Sequence, residues 1–418
     1  MKTWIKILVG LLLTGGLFVF AFYRTPQERE FSKNLKLAQA GDMDAAMIVA
    51  ASYINGTGTK PNAQKGISWY EQASSSGKPE AAWELYEYYV QHGVVGNATA
   101  RSHGRGEDTR FKGNQPVRPN GSRAGNRGNS RTGMSQNRAQ EKEIALAYLQ
   151  SAAQADFAPA QYELGNLYAR GKDMPRHQGQ ALFWYEKAAK NGSSAAQAKV
   201  KALATENPAL LSKVEQFMQH LQAAETEDQL AMMQVAQAYQ QGSPVLQDKA
   251  EALRWYKKAW QKSNEQLSQA AFEISDIYYQ GEGVTPDAGQ AAKFLAKAAE
   301  LKNPQAQYML GESAYTDNPP RMKDAFAWFS NAAAQGHVKA QYMTGFMLLQ
   351  GQGTAKSVPL AIRFFEQAAQ QNDPSAQYVL GQIYLKGLGV RRSSRQGRAW
   401  LERAVENGSE PAKEMLGL

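Results

Sequence analysis

Aromatic and alanine residues return along this chain at a fixed interval, and that interval constrains the fold more than any other feature. Trp184 precedes Ala196 by 12 residues, and Trp328, Phe364 and Trp400 precede Ala340, Ala376 and Ala412 by the same 12. Tyr168 precedes Trp184 by 16, as Tyr384 precedes Trp400, and Ala376 precedes Tyr384 by 8, so the full period is 36 residues. A period of this length marks a supersecondary unit that cannot bury its apolar face alone and must lean on copies of itself.

Each period holds two patterns. Around Ala160, the residues Leu164, Gly165 and Tyr168 fall on one helical face. The second pattern runs Ala181, Trp184, Tyr185, Ala188, Ala189 and returns as Ala325, Trp328, Phe329, Ala332, Ala333 and as Ala361, Phe364, Phe365, Ala368, Ala369. It describes an amphipathic helix whose alanines admit a neighbour while the aromatic pair fills the space between. Gly56, Gly171, Gly242, Gly281, Gly351 and Gly387 stand just past the first pattern, where a helix ends in left-handed geometry. They are not read as a phosphate loop, which would follow a strand and carry Gly-Lys-Ser/Thr. The reading is an all-α fold of antiparallel helix pairs, about nine repeats long.

The stretches "AQYVLGQIYLKGLGV" with "RQGRAWLERAVENGS", and "AQYELGNLYARG" with "GQALFWYEKAAKNGS", resemble the Sel-one-like repeat (SLR) family, relatives of the tetratricopeptide repeats. The resemblance covers about residues 40–418 apart from one insertion. It implies a right-handed superhelical solenoid that binds other proteins, and it does not imply a catalytic activity. Roles in envelope assembly, stress regulation or host interaction are known in the family. Some relatives linked to β-lactam binding use paired cysteines, and this chain of 418 residues has none.

The organisation follows from departures from the period. Residues 1–23 begin with Lys2 and Lys6 and then run uncharged from Ile7 to Tyr23. As a helix that stretch spans about 26 Å, near the thickness of a bilayer's hydrocarbon core. It reads as a transmembrane anchor, or as a signal segment cleaved after Val19-Phe20-Ala21. The expected location is the inner membrane, single-pass with the repeats facing the periplasm, or the periplasm itself after cleavage. Residues 24–40 form a linker and capping helix, and 41–92 hold repeat 1 and the first helix of repeat 2. An Arg/Gly/Asn-rich insert, expected to be disordered, occupies 93–140. Residues 141–195 complete repeat 2 and carry repeat 3. Repeat 4, residues 196–226, is degenerate: "TENPALL" replaces its glycine turn and His220 stands where others have tryptophan, as a half-buried structural residue. Residues 227–418 hold repeats 5–9 and a C-terminal half-repeat from Ala412.

Function is less constrained. Without cysteine there is no disulfide, thiolate metal site or cysteine nucleophile. No G-x-S-x-G, H-E-x-x-H or P-loop occurs, and the histidines at 92, 103, 177, 220 and 337 are scattered, so no catalytic residue, metal site or cofactor is expected, and an enzyme acting on the cell wall is the weakest of the readings. Gln161, Gln307, Gln341 and Gln377 recur beside the first-helix alanine and are the candidates for a groove that takes a protein or peptide. The insert carries Arg101, Arg105, Arg110, Arg118, Arg123, Arg127, Arg131 and Arg138, with Lys112, against Glu107 and Asp108. That is most of the chain's net charge of +9. Mobile arginines pair with phosphate or carboxylate, so an acidic polymer, lipid phosphate or acidic protein is a candidate partner there. Nucleic acid fits poorly, because Phe111 is the insert's only stacking platform.

Overall fold

The computed structural model describes residues 25–92, 129–263 and 267–418. Among these residues there are helices and no strands. The first helices of the nine pairs are Met43–Asn55, Pro79–Gln91, Ala158–Arg170, Ser194–Glu206, Gln229–Gln241, Ser268–Gln280, Pro304–Thr316, Val338–Gln350 and Pro374–Lys386. The second helices are Ala63–Ser75, Asn129–Gln154, Gln178–Lys190, Pro208–Glu225, Lys249–Lys262, Ala288–Glu300, Met322–Ala334, Val358–Gln370 and Ser394–Glu406. Pro26–Gln39 and Glu410–Leu416 stand at the two ends. The chain divides into two compact units, one ending at Glu215 and one beginning at Gln216, inside the degenerate repeat.

Local chemistry sets the helix boundaries. Asp373 Oδ1 accepts from the Ala376 backbone N–H at 2.7 Å and so caps one first helix. Asp42, Ser193, Asp228, Asn303, His337 and Ser409 cap their helices through the corresponding alanine. Every one of these alanines is buried, which leaves no room there for a larger residue. At the far end of Pro374–Lys386, Gly387 has φ 71°, a geometry costly to any residue with a Cβ.

A second glycine two residues further on has a different task. Gly353 has φ 70°, and a Cβ there would sit 2.1 Å from the Met322 carbonyl oxygen, at the start of the preceding repeat's second helix. The turn thus ends one helix and seats itself on the repeat before. Gly58 approaches the Gln27 carbonyl in the same way. Pro26–Gln39 therefore takes the place a second helix would have. Its own start is closed by a reciprocal pair, Thr25 Oγ1 with the Glu28 N–H and Glu28 Oε2 with the Thr25 N–H.

In three pairs an aromatic of the second helix meets a glycine of the first. Phe329 and Phe365 are wholly buried and lie against Gly311 and Gly345. Burying such a ring stabilises the fold by roughly 1.5–3 kcal/mol. Tyr185 lies against Gly165 in the same way, and its hydroxyl donates to Asn166 Oδ1 at 2.9 Å. Burial pushes the Tyr185 phenol up to about 12 from its usual 10. The folded chain thus holds this proton longer than the unfolded chain. The stabilisation is full below pH 10 and declines as pH rises from 10 to about 12. Tyr185→Phe should remove that part of the alkaline loss, read as a shallower fall of the unfolding midpoint across this range.

Three sequence expectations need adjustment or comment. The second helix of repeat 2 begins at Asn129, so the insert ends about a dozen residues before 140. The segment from Gln136, "QNRAQEKE", is made of helix formers and extends the packed helix backward. Repeat 4 does keep two helices, joined through Asn207 with no glycine turn, and His220 is half-buried on the second. The expected membrane or signal segment, 1–23, lies outside the described residues, and no helix among the described residues is long and apolar enough to cross a membrane.

Candidate functional site

The recurrent glutamines do not face an open groove. Gln161, Gln307, Gln341 and Gln377 are 0%, 4%, 5% and 1% exposed, which corrects the expectation that they line a binding surface. Each donates its Nε2 to a carbonyl near the end of the preceding repeat's second helix. The acceptors are Ala153 and Ala299 at 3.0 Å, Ala333 at 3.4 Å and Ala369 at 3.0 Å. Each accepts on Oε1 from an amide that closes its own repeat's second helix. The donors are Asn191 at 2.9 Å, Gln335 at 2.8 Å, Gln371 at 2.9 Å and Asn407 at 3.1 Å. One side chain thus ties three helices, adding a second donor to a helix-end carbonyl that already accepts a backbone N–H. Gln197, at the same slot of the degenerate repeat, is exposed instead.

The next residue along is turned by about 100° and points elsewhere. In six repeats it is aromatic: Trp83, Tyr162, Phe272, Tyr308, Tyr342 and Tyr378. All but Tyr308, which is 9% exposed, are half-buried. Tyr342 packs on Phe365 at 5.8 Å and stacks with Phe346 at 6.5 Å. Tyr308 stacks on His337 at 4.6 Å and donates its hydroxyl to Glu312 Oε1 at 2.6 Å. Gln382 donates to the Tyr378 hydroxyl at 2.8 Å. The "AQY" motif pointed to this face, one residue beyond the glutamine the sequence reading chose.

The second helices carry the cations. Lys257 and Lys258 lie over the rings of Tyr278 and Trp255, and Lys293 over Phe294. A shallow open cleft of about 370 Å³ lies among Trp260, Lys293, Phe294, Lys297 and Glu300. Another, of about 400 Å³, lies among Leu360, Arg363, Phe364 and Gln367. Among the described residues no three histidine or carboxylate side chains converge as metal ligands would. His92 closes the helix Pro79–Gln91, its Nδ1 2.6 Å from the Tyr88 carbonyl, while His103 lies outside the described residues. So do Arg101, Arg105, Arg110, Arg118, Arg123 and Arg127. Arg131 falls within the helix Asn129–Gln154, and Arg138 is exposed on it.

Antiparallel helix pairs capped, spaced and cross-tied in this way define a helical-repeat protein of the solenoid class. Eight segments match the family model described as the Sel1 repeat: 44–78, 128–157, 158–193, 229–264, 268–303, 304–337, 338–373 and 374–409. They cover well over half of the chain, which therefore belongs to the Sel1 repeat family. The unmatched stretch between 193 and 229 is the degenerate repeat. Proteins of this family generally act as protein-interaction scaffolds and are typically non-catalytic. Among solved structures, the chain is similar to a protective antigen of uropathogenic Escherichia coli displaying an SLR fold. Identity there is 20%, over 92% of this chain and 89% of that one, with a TM-score of 0.35. It is also similar to a Sel1 repeat protein of Oxalobacter formigenes, at 24% identity over 84% and 89% with a TM-score of 0.39. An immunity protein of Pseudomonas aeruginosa matches at 20% identity over 61% and 83%, with a TM-score of 0.29. No curated protein matches the sequence.

Proposed function

We propose that this chain is a non-catalytic scaffold that takes a protein or peptide segment along its first-helix face, held in a bacterial envelope by residues 1–23. The observation that carries the reading is the aromatic residue at the same slot of six repeats, half-buried in five of them. A packed aromatic with one free side offers large contact area at little conformational cost, which is what protein interfaces use. The tether rests on the lysine-flanked apolar stretch of the sequence. The alternative, an anionic polymer or lipid bound through residues 93–140, rests on arginines mostly outside the described residues.

Site-specific photo-crosslinking in intact cells tests this. Benzoylphenylalanine placed at Tyr342 or Tyr378 should yield adducts with a second protein, and at Gln367, exposed on a second helix, it should not. The adducts should sediment with membranes and leave that fraction when residues 1–23 are deleted. Adducts from position 367 alone would place the surface on the other face.

A further inference from the structure

The aromatic face has a charge of its own. Three slots of each first helix share it: the second, third and sixth residues after the buried alanine. Across the nine pairs these slots hold Glu84, Glu87, Glu163, Glu273, Asp276 and Glu312, against one cation, Lys199, in the degenerate repeat. The chain has 47 lysines and arginines against 38 carboxylates, so chance would tilt the face the other way.

Most of these carboxylates are engaged. Glu163 accepts from Asn166, Glu273 from Gln240 and Gln269, Asp276 from Gln280, and Glu312 from Tyr308. Glu84 and Glu87 differ: both are half-buried, and neither has a hydrogen bond or ion pair among the described residues. They stand on the helix Pro79–Gln91 with Trp83, which is half-buried and packs against Phe157 at 6.1 Å. Trp83 and Glu87 are four residues apart and Glu84 and Glu87 three, so the ring and both carboxylates share one side of the helix. Burial pushes both carboxyls up from their usual range, and Glu84 adds to the effect on Glu87. Ionised at neutral pH, they cost the fold stability that a partner's cation would return. A partly exposed indole beside two carboxylates unpaired among the described residues suits a guanidinium or ammonium group, which the ring quadrupole and the charges attract together.

Resting on the scaffold reading, we infer that the first-helix face around Trp83, Glu84 and Glu87 takes an arginine- or lysine-bearing peptide segment of a partner protein. Other occupants of this face are separated by titration of the full chain with a fluorescein-labelled alternating Gly-Arg peptide and with its Gly-Glu counterpart. The arginine peptide should bind, weaken with added salt, and bind the Glu84→Gln/Glu87→Gln variant with a Kd raised at least about tenfold. The variant's unfolding midpoint should stay level or rise, because it removes an uncompensated charge, and this separates lost binding from lost fold. Equal affinity for the two proteins would overturn the inference. So would binding that appears only after residues 93–128 are removed, which would make the chain's own arginines the occupant. The crosslinking from positions 342 and 378 does not use these carboxylates. A failed titration beside successful crosslinks therefore sinks this inference and leaves the scaffold standing.

Discussion

Gly353→Ala should destabilise the junction of repeats 7 and 8 by about 3 kcal/mol. Two costs add. The residue has φ 70°, and left-handed geometry costs a side-chain-bearing residue roughly 1–2 kcal/mol. The new methyl would also lie 2.1 Å from the Met322 carbonyl oxygen, a backbone atom that cannot swing away. Forcing atoms into a filled space costs typically about 1–3 kcal/mol. Gly408→Ala is the matched control, with φ 89° and nothing within 4 Å of the added Cβ, so only the first cost applies. Stability in a repeat array is local, so the readout is native-state hydrogen exchange of the helices Met322–Ala334 and Val338–Gln350. Equal losses at 353 and 408 would mean that the turn does not rest on the repeat before it.

The second large effect is expected at the glutamine tie. Gln377→Leu keeps the volume near constant but removes the donor to the Ala369 carbonyl and the acceptor for Asn407. The Ala369 carbonyl keeps the Asn372 N–H and the Asn407 amide keeps the Arg403 carbonyl, so the cost is that of two lost hydrogen bonds, about 1–3 kcal/mol together. Because the bonds join repeat 8 to repeat 9, the loss should show first as fraying of Pro374–Lys386 and Ser394–Glu406. Gln197→Leu should cost far less, since that glutamine is exposed. A similar loss at both positions would remove the distinction between tied and untied repeats.

Much of this fold is written locally. The caps and the helix-ending glycines act within a few residues, so their period exposes the helix pairs and even the repeat that lost its turn. The roles of the glutamines are not local. A residue one past Ala376 could face solvent, a groove or a neighbour, and what decides is a carbonyl of the preceding repeat, Ala369, together with an amide 30 residues on, Asn407. The spacing of that second partner, 28 residues for Gln335 and 30 for Asn191, Gln371 and Asn407, is a signal the sequence contains. It becomes readable only once the pairs are known to stack. The start of the helix at Asn129 was hidden for a related reason, since its composition grades into that of the insert. The acidic character of the aromatic face was hidden by the total charge, which the arginine-rich insert dominates.

The most direct measurement combines Gln377→Leu with the crosslinker at Tyr342 in one protein and follows unfolding midpoint and adduct yield together. If the glutamine belongs to the fold and the aromatic face to the partner, the midpoint falls and the yield below it is unchanged. An unchanged midpoint with the adduct lost would put the glutamine at the interface after all.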